Sequence, residues 1–311
     1  MIRIIPFLIS VTILGLIYWQ INFNIILENI LQSDMLWLVV GIAMVVPITM
    51  FTALRLAWLS PSKLTYFDSL KLILAASAMN VVLPSKMGDV VKGFFISGNE
   101  EAGYSEGLSL VMFEKISDLL ALLFWCMFGL LYMNNYIVYW QWFFIIVLMV
   151  FLFSFLMLSS KRFSRSIFNI ISIIFTTKLK GKVNNFEKSW AQMTGSLYGH
   201  KAHFFGIMLF SIFLWLLHLT QIFIFILSLK ATVPFVDNLA LTPIVILIGL
   251  MPVTFAGIGT RDIAFIYIFE SYFSAATGAA LGVFSTIRYI IPALFGIQYL
   301  SYYMNIFTSK Q

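Results

Sequence analysis

Leu83-Pro84-Ser85-Lys86-Met87-Gly88-Asp89-Val90-Val91-Lys92-Gly93 interrupts a long apolar run with a proline, two glycines, two lysines and one acid, Asp89. A segment that simply crosses lipid has no need of such a break. In a bilayer, irregular backbone survives only where protein or a water-filled cavity satisfies its N–H and C=O groups. A second interruption, Met251-Pro252-Val253-Thr254-Phe255-Ala256-Gly257-Ile258-Gly259-Thr260-Arg261-Asp262, lies in the other half of the chain. Two broken apolar segments in comparable positions point to a transporter-type binding site between them.

Composition supplies the frame. The 311 residues are 61% hydrophobic and 10% charged, with a mean hydropathy of +0.98. Soluble domains carry about 25% charged residues, so the sequence reads as an all-α polytopic integral membrane protein. The net charge of +6 is local: residues 161–201 hold eight Lys and Arg against the single acid Glu187, and the remainder is close to neutral. That pattern fits a basic cytoplasmic loop, 160–202, obeying the positive-inside rule, and gives no reason to expect nucleic acid as a partner. One cysteine, Cys126, allows no intrachain disulfide or cysteine metal cluster. His200, His203 and His218 lack zinc-protease spacing; His218 falls within an apolar span, as a polar contact or a pathway residue. No metal, cofactor or catalytic constellation is expected.

In chain order, residues 1–19 exceed a signal-peptide apolar core and lack a small-x-small cleavage site, so they read as a retained first helix. Loop 20–34 has no Lys or Arg and is placed outside. Spans follow at about Met35–Leu59, Ser105–Tyr132, Trp142–Leu158, Phe204–Leu229 and Ala276–Tyr303, making about six full transmembrane helices in one domain, 1–311. Around the breaks, Phe67–Leu83 with Val90–Ile96, and Leu239–Leu250 with Ile263–Phe269, contain pieces shorter than the roughly 20 residues of a full crossing. They read as broken or re-entrant hairpins, the first entering from the cytoplasm and the second from outside. Each has a full helix before and after it, which gives an inverted repeat; ordinary paired spanning helices would give the same loop sides. Both termini are then cytoplasmic. Phe163–Phe175 alternates apolar and polar residues, as an amphipathic interfacial helix or a solvated loop would.

Ionisable residues gather near the breaks, although each costs about 2.5–3.5 kcal/mol at a helix centre on insertion scales. Asp89 and Lys92 share a face at i, i+3, and Glu114 and Asp118 stack like charges at i, i+4. Such an acid pair calls for a cation or a proton, and Lys92, Arg261 and Arg288 are the available cations. Lys115 and Asp262 complete the set. Pro84, Lys86, Gly88, Pro252, Gly257 and Gly259 supply the turns, where a half-helix N-terminus suits phosphate or carboxylate. A charged pathway and a buried register-fixing network both fit.

These stretches resemble the flippase-like transmembrane family of lysylphosphatidylglycerol synthases. Asn80–Asp89 resembles its N-x-x-x-P-x-[RK]-x-G-[ED], Glu114–Asp118 its E-[RK]-x-x-D, Pro252–Asp262 its P-x-x-x-G-G-[LI]-G-x-R-E, and Arg288–Gly296 its R-x-x-x-x-P-x-x-x-G. Ala256 stands where glycine is common, and Asp89 and Asp262 where glutamate is common. The soluble aminoacyl-transferase domain of two-domain members is absent from these residues, so the resemblance implies movement of a lipid or lipid-linked glycan rather than lysyl transfer. The expected partners are a phospholipid or polyprenyl-linked lipid, and the expected location is a bacterial plasma (inner) membrane. Two other readings stay open: a non-transporting accessory subunit docked to an envelope-synthesis enzyme, and a membrane-embedded head-group transferase.

Overall fold

The computed structural model describes residues 9–10, 12–15, 21, 23–60, 64–82, 88–96, 101–133, 140–174, 177–199, 201–251, 254 and 257–308. The expected first helix is described only in helical pieces at 9–10 and 12–15. Among the described residues the secondary structure is helical throughout. The helices are α1 (Phe23–Leu31), α2 (Met35–Ala43), α3 (Val45–Leu59), α4 (Tyr66–Val82), α5 (Gly88–Ile96), α6 (Glu101–Tyr132) and α7 (Trp140–Ser159). They continue as α8 (Lys161–Ile174), α9 (Thr177–Gly199), α10 (Lys201–Ser228), α11 (Phe235–Gly249), α12 (Thr260–Ile268) and α13 (Ala275–Thr308).

Among the described residues, four helical stretches are long and apolar enough to cross a membrane: Met35–Leu59, Gln141–Ser159, Lys201–Ser228 and Ala275–Leu300. Helix α6, with 32 residues, has the length but carries Glu114, Lys115 and Asp118 in its middle. Outward-facing Leu36, Val39, Ile146, Met149, Phe205, Leu209, Leu294 and Phe295 are all exposed. Apolar surface on that scale is a lipid-facing surface rather than a soluble one. The protein is an integral membrane protein of the α-helical polytopic class.

Met35–Leu59 is interrupted at Met44. Pro47 explains the interruption, because a proline has no N–H to give and its ring crowds the carbonyl four residues earlier, that of Ala43. Asp34 caps α2, its carboxylate accepting from the backbone N–H of Leu36 at 2.9 Å.

Both breaks fold back as hairpins. The nine-residue α5 and nine-residue α12 are each about 13 Å long at 1.5 Å per residue, under half the ~30 Å hydrocarbon thickness. Helix α5 packs on α4, and α12 on α11. The approach in the first hairpin is very close: a Cβ on Gly88 would stand 2.8 Å from the backbone nitrogen of Asn80. In the second, Gly257 has φ +78° and lies against the carbonyl of Gly249. An L side chain there would meet both a left-handed backbone and an occupied space.

Two core clusters mark the ends of the molecule. One gathers Leu59, Ile96, Leu110, Met157, Phe168, Trp190 and Phe204, with Leu64, Tyr66 and Tyr299 packed against it. Both open ends of the first hairpin are therefore at this basic end. The other cluster gathers Met133, Ile226, Val233, Leu241, Phe269 and Leu281, with Leu38 and Phe273 alongside. Both open ends of the second hairpin are there. The hairpins enter from opposite ends, so α2/α3–α4/α5–α6 and α10–α11/α12–α13 form two oppositely directed triplets. The packing is reciprocal: α4 lies along α13, and α11 along α6. At each crossing a glycine admits the partner's backbone, Gly296 against Leu74 and Gly129 against Ala240.

Loop 20–34 and the basic segment 160–202, in which only Phe163–Phe175 reads as a possible helix, are both largely helical. Loop 20–34 contains α1, held because Ile26 is buried among Ala276, Ala279 and Ala280 of α13. The basic segment 160–202 forms α8 and α9, which pack on each other. Part of its apolar surface faces inward: Phe168, Trp190 and Leu197 enter the basic-end cluster, and Phe168 meets Trp190 with ring centroids 6.1 Å apart. Helix α8 also leaves Ile170, Ile173 and Ile174 exposed beside Arg162 and Arg165, as an interfacial helix does.

Candidate functional site

The hairpins converge on a cavity of about 350 Å³. Helix α3 contributes Thr49, Thr52 and Arg55; α4 contributes Ser77 and Asn80; α10 contributes Trp215, His218 and Gln221. These polar positions recur every three residues along otherwise apolar helices, so each set occupies a single stripe. Among the described residues, five cations (Arg55, Lys92, Lys115, Arg261, Arg288) and three carboxylates (Asp89, Glu114, Asp118) line the wall.

Six of the eight form an alternating chain across α3, α5 and α6. Lys115 Nζ lies 2.8 Å from Asp89 Oδ2. Asp89 Oδ1 lies 4.0 Å from Lys92 Nζ. Lys92 donates to Glu114 Oε2, and Arg55 Nη2 donates to Glu114 Oε1 at 3.3 Å. Arg55 Nη1 ends the chain, donating to Asp118 Oδ1 and, at 3.1 Å, to Ser211 Oγ. The centre is buried, with Arg55 and Lys92 each 1% exposed and Glu114 2% exposed. The ends reach solvent-accessible space, the side chains of Lys115 and Asp118 being 46% and 26% exposed. Burial strengthens each attraction and raises the cost of losing any one member.

The like-charged Glu114–Asp118 pair is thus neutralised by Lys92 and Arg55, and not by Arg261 or Arg288. Arg55 is the residue that sequence reasoning passed over. Beside Trp58 near the end of α3 it reads as an interface anchor, but its guanidinium turns inward to two carboxylates. The signal was the Thr49-Thr52-Arg55 spacing, which continues a polar stripe into the arginine.

The second break supplies the opposite wall. Asp262 does not reach the cavity. Its Oδ2 accepts from the Gly259 N–H at 2.9 Å, tying the glycine turn (Gly259 φ +98°) to the first turn of α12. Arg261 Nη2 donates to Asp262 Oδ1 at 3.3 Å, to the Gly282 carbonyl at 3.1 Å and to Thr286 Oγ1 at 2.6 Å. Those bonds fasten α12 to α13. Two residues beyond Thr286 on α13, Arg288 donates from Nη2 to the Tyr289 hydroxyl at 2.7 Å. Its guanidinium carbon lies 4.7 Å from the Tyr289 ring centroid, within cation–π range.

The structure therefore brings Asp89, Lys92, Glu114, Lys115, Asp118, Arg261 and Arg288 to a single cavity. Gly88, Gly257, Gly259 and Asp262 shape its walls from behind. Pro84, Lys86 and Pro252 lie outside the described residues.

A family model described as the lysylphosphatidylglycerol synthase transmembrane region matches residues 3–296. The chain belongs to this family. Among curated proteins none matches the chain. The matched region takes in both triplets up to Gly296, so every charged residue of the cavity belongs to the lysylphosphatidylglycerol synthase transmembrane region.

Proposed function

We propose that the protein moves a lipid, or a lipid-linked glycan, between leaflets, by exposing the charged cavity alternately toward the two ends of the fold. The observation that carries this reading is the cavity's position between two opposed half-length hairpins. A polar head group crossing a bilayer needs a desolvated but charged path, and moving one hairpin against the other would open that path from either side. The acids and bases of the alternating chain would exchange partners during such a motion, so that charges stay compensated. The lipid class is anionic or aminoacylated, and the membrane is the plasma (inner) membrane. The basic end, with α8 and α9, faces the cytoplasm, in line with the distribution of lysine and arginine.

The test is leaflet-resolved translocation in reconstituted vesicles. Labelled phosphatidylglycerol, lysyl-phosphatidylglycerol and a polyprenyl-phosphate lipid are compared in vesicles with wild type, with Asp118→Asn, and without protein. Transport of at least one lipid by wild type, reduced about tenfold or more by Asp118→Asn, is expected, since a charge-assisted contact supplies about 1.5–3 kcal/mol. Wild type that moves none of the three at rates above protein-free vesicles would overturn the reading.

A further inference from the structure

The cavity's charges do not balance, and the imbalance is localised. Around Glu114, three bases alternate with three acids and each acid contacts a base. The opposite wall has two guanidiniums, Arg261 and Arg288, and the carboxylate of Asp262 serves Arg261 and the Gly259 N–H. Arg288 is 5% exposed, and its Nε and Nη1 have no hydrogen-bond partner among the described residues. Among the described residues no carboxylate pairs with it. A buried, half-satisfied guanidinium is costly unless something arrives to complete it, and its free Nε–H or Nη1–H, together with the second N–H of Nη2, makes a planar fork that suits a phosphate.

We infer that Arg288, with Arg261 of α12 lining the same cavity, is the seat for the phosphate ester of a net-anionic lipid head group. This rests on reading the cavity as a lipid path, and it narrows the substrate. An aminoacylated lipid such as lysyl-phosphatidylglycerol carries one phosphate and two ammonium groups, and those ammoniums would face a wall whose acids are already engaged by Arg55, Lys92 and Lys115. Net-anionic lipids fit and net-cationic ones do not. The cavity wall next to the seat includes Val81, Tyr289 and Ile290, which are 45%, 38% and 40% exposed. An apolar, outward-facing border suits acyl or prenyl chains, so the phosphate belongs to a lipid and not to a free ion.

The test separates binding from transport. Purified protein in phosphatidylcholine nanodiscs is titrated with phosphatidylglycerol, lysyl-phosphatidylglycerol and inorganic phosphate, for wild type, Arg288→Gln and Arg288→Lys. Phosphatidylglycerol should bind wild type about tenfold or more tightly than lysyl-phosphatidylglycerol. Arg288→Gln should weaken phosphatidylglycerol by about 10- to 100-fold, the worth of a charge-assisted contact, and Arg288→Lys should recover part of it. Lipid-free Arg288→Gln should melt at or above the wild-type temperature, because an unpaired buried cation has been removed. Equal or tighter binding of lysyl-phosphatidylglycerol, unchanged phosphatidylglycerol binding in Arg288→Gln, or a lowered melting temperature overturns the seat. Inorganic phosphate competing as well as phosphatidylglycerol overturns its assignment to a lipid. Phosphatidylglycerol bound through Arg288 but moved by no variant supports the seat and removes the translocation reading.

Discussion

Removing the charge of Glu114 while keeping its shape, as Glu114→Gln, is the most informative perturbation of the cavity. Glu114 stands at the centre of the alternating chain, accepting from Lys92 on one oxygen and from Arg55, at 3.3 Å, on the other. All three residues are at most 2% exposed. The substitution leaves two buried cations facing a neutral amide. Arg55 keeps Asp118, and Lys92 keeps only the 4.0 Å contact to Asp89, which Lys115 already engages at 2.8 Å. Breaking a buried pair by removing one partner costs about 3–5 kcal/mol, and Lys92 is the residue left worst served. Lys92→Met alone should cost less, because Glu114 retains Arg55. The double variant Lys92→Met/Glu114→Gln should recover part of the Glu114→Gln loss, with a coupling of at least about 1 kcal/mol, within the range found for residues sharing a network. The assay is reversible unfolding in mixed micelles, with the four proteins compared under identical conditions. A cost below about 1 kcal/mol for Glu114→Gln, against the buried-pair figure, or strict additivity in the cycle, would refute the account of the network.

Further expectations concern the frame around the cavity. Gly257→Ala should destabilise by at least the roughly 1–2 kcal/mol of a left-handed L residue, with the clash against Gly249 added; Gly206→Ala, where a Cβ meets open space in α10, should be neutral or stabilising by up to about 1 kcal/mol. Unfolding of the two variants side by side checks the contrast. Gly296→Val and Gly129→Val should both weaken the fold, each by about 1–3 kcal/mol or more for overpacking, since both glycines admit a partner's backbone. With Cys126 fully buried, single cysteines at Ile174 and Asn169 report the setting of α8 in vesicles. A membrane-impermeant maleimide should label position 169 and spare 174, and equal labelling would remove α8 from the interface.

The breaks were legible because lipid punishes irregular backbone, so Pro84–Gly93 and Pro252–Asp262 stand out against their surroundings. Glu114, Lys115 and Asp118 were legible for the same reason, being ionised groups in the middle of an apolar helix. Arg55 was not, because an arginine four residues from a helix end is what snorkelling to the interface also produces; only its inward rotamer separates the two. Helix α9 was hidden by its charge density, and α8 was legible only as one of two alternatives, because its mixed apolar and polar residues suit a loop and an amphipathic helix alike. Helix α1 was hidden because only one of its residues, Ile26, is buried against α13, with Ile30 packed beside it. The assignment of partners within the charge cluster depended on which helices adjoin, and residues 55, 92 and 114 are brought together only by tertiary packing.

The exchange of long arms between the triplets also bears on how the protein is made. Helix α4 finds its glycine-lined partner surface on α13, Leu74 meeting Gly296. The ribosome adds the intervening stretch of about 220 residues at ~5–20 residues per second, a delay on the order of 10–40 s. For most of that interval the first hairpin, with Asn80, Asp89 and Lys92, is expected to await the helix bearing Arg288, which has yet to be synthesised. The nascent chain is therefore expected to hold an unfinished polar wall beside lipid, or beside an insertion factor that shields it, until the last helix emerges and closes the fold.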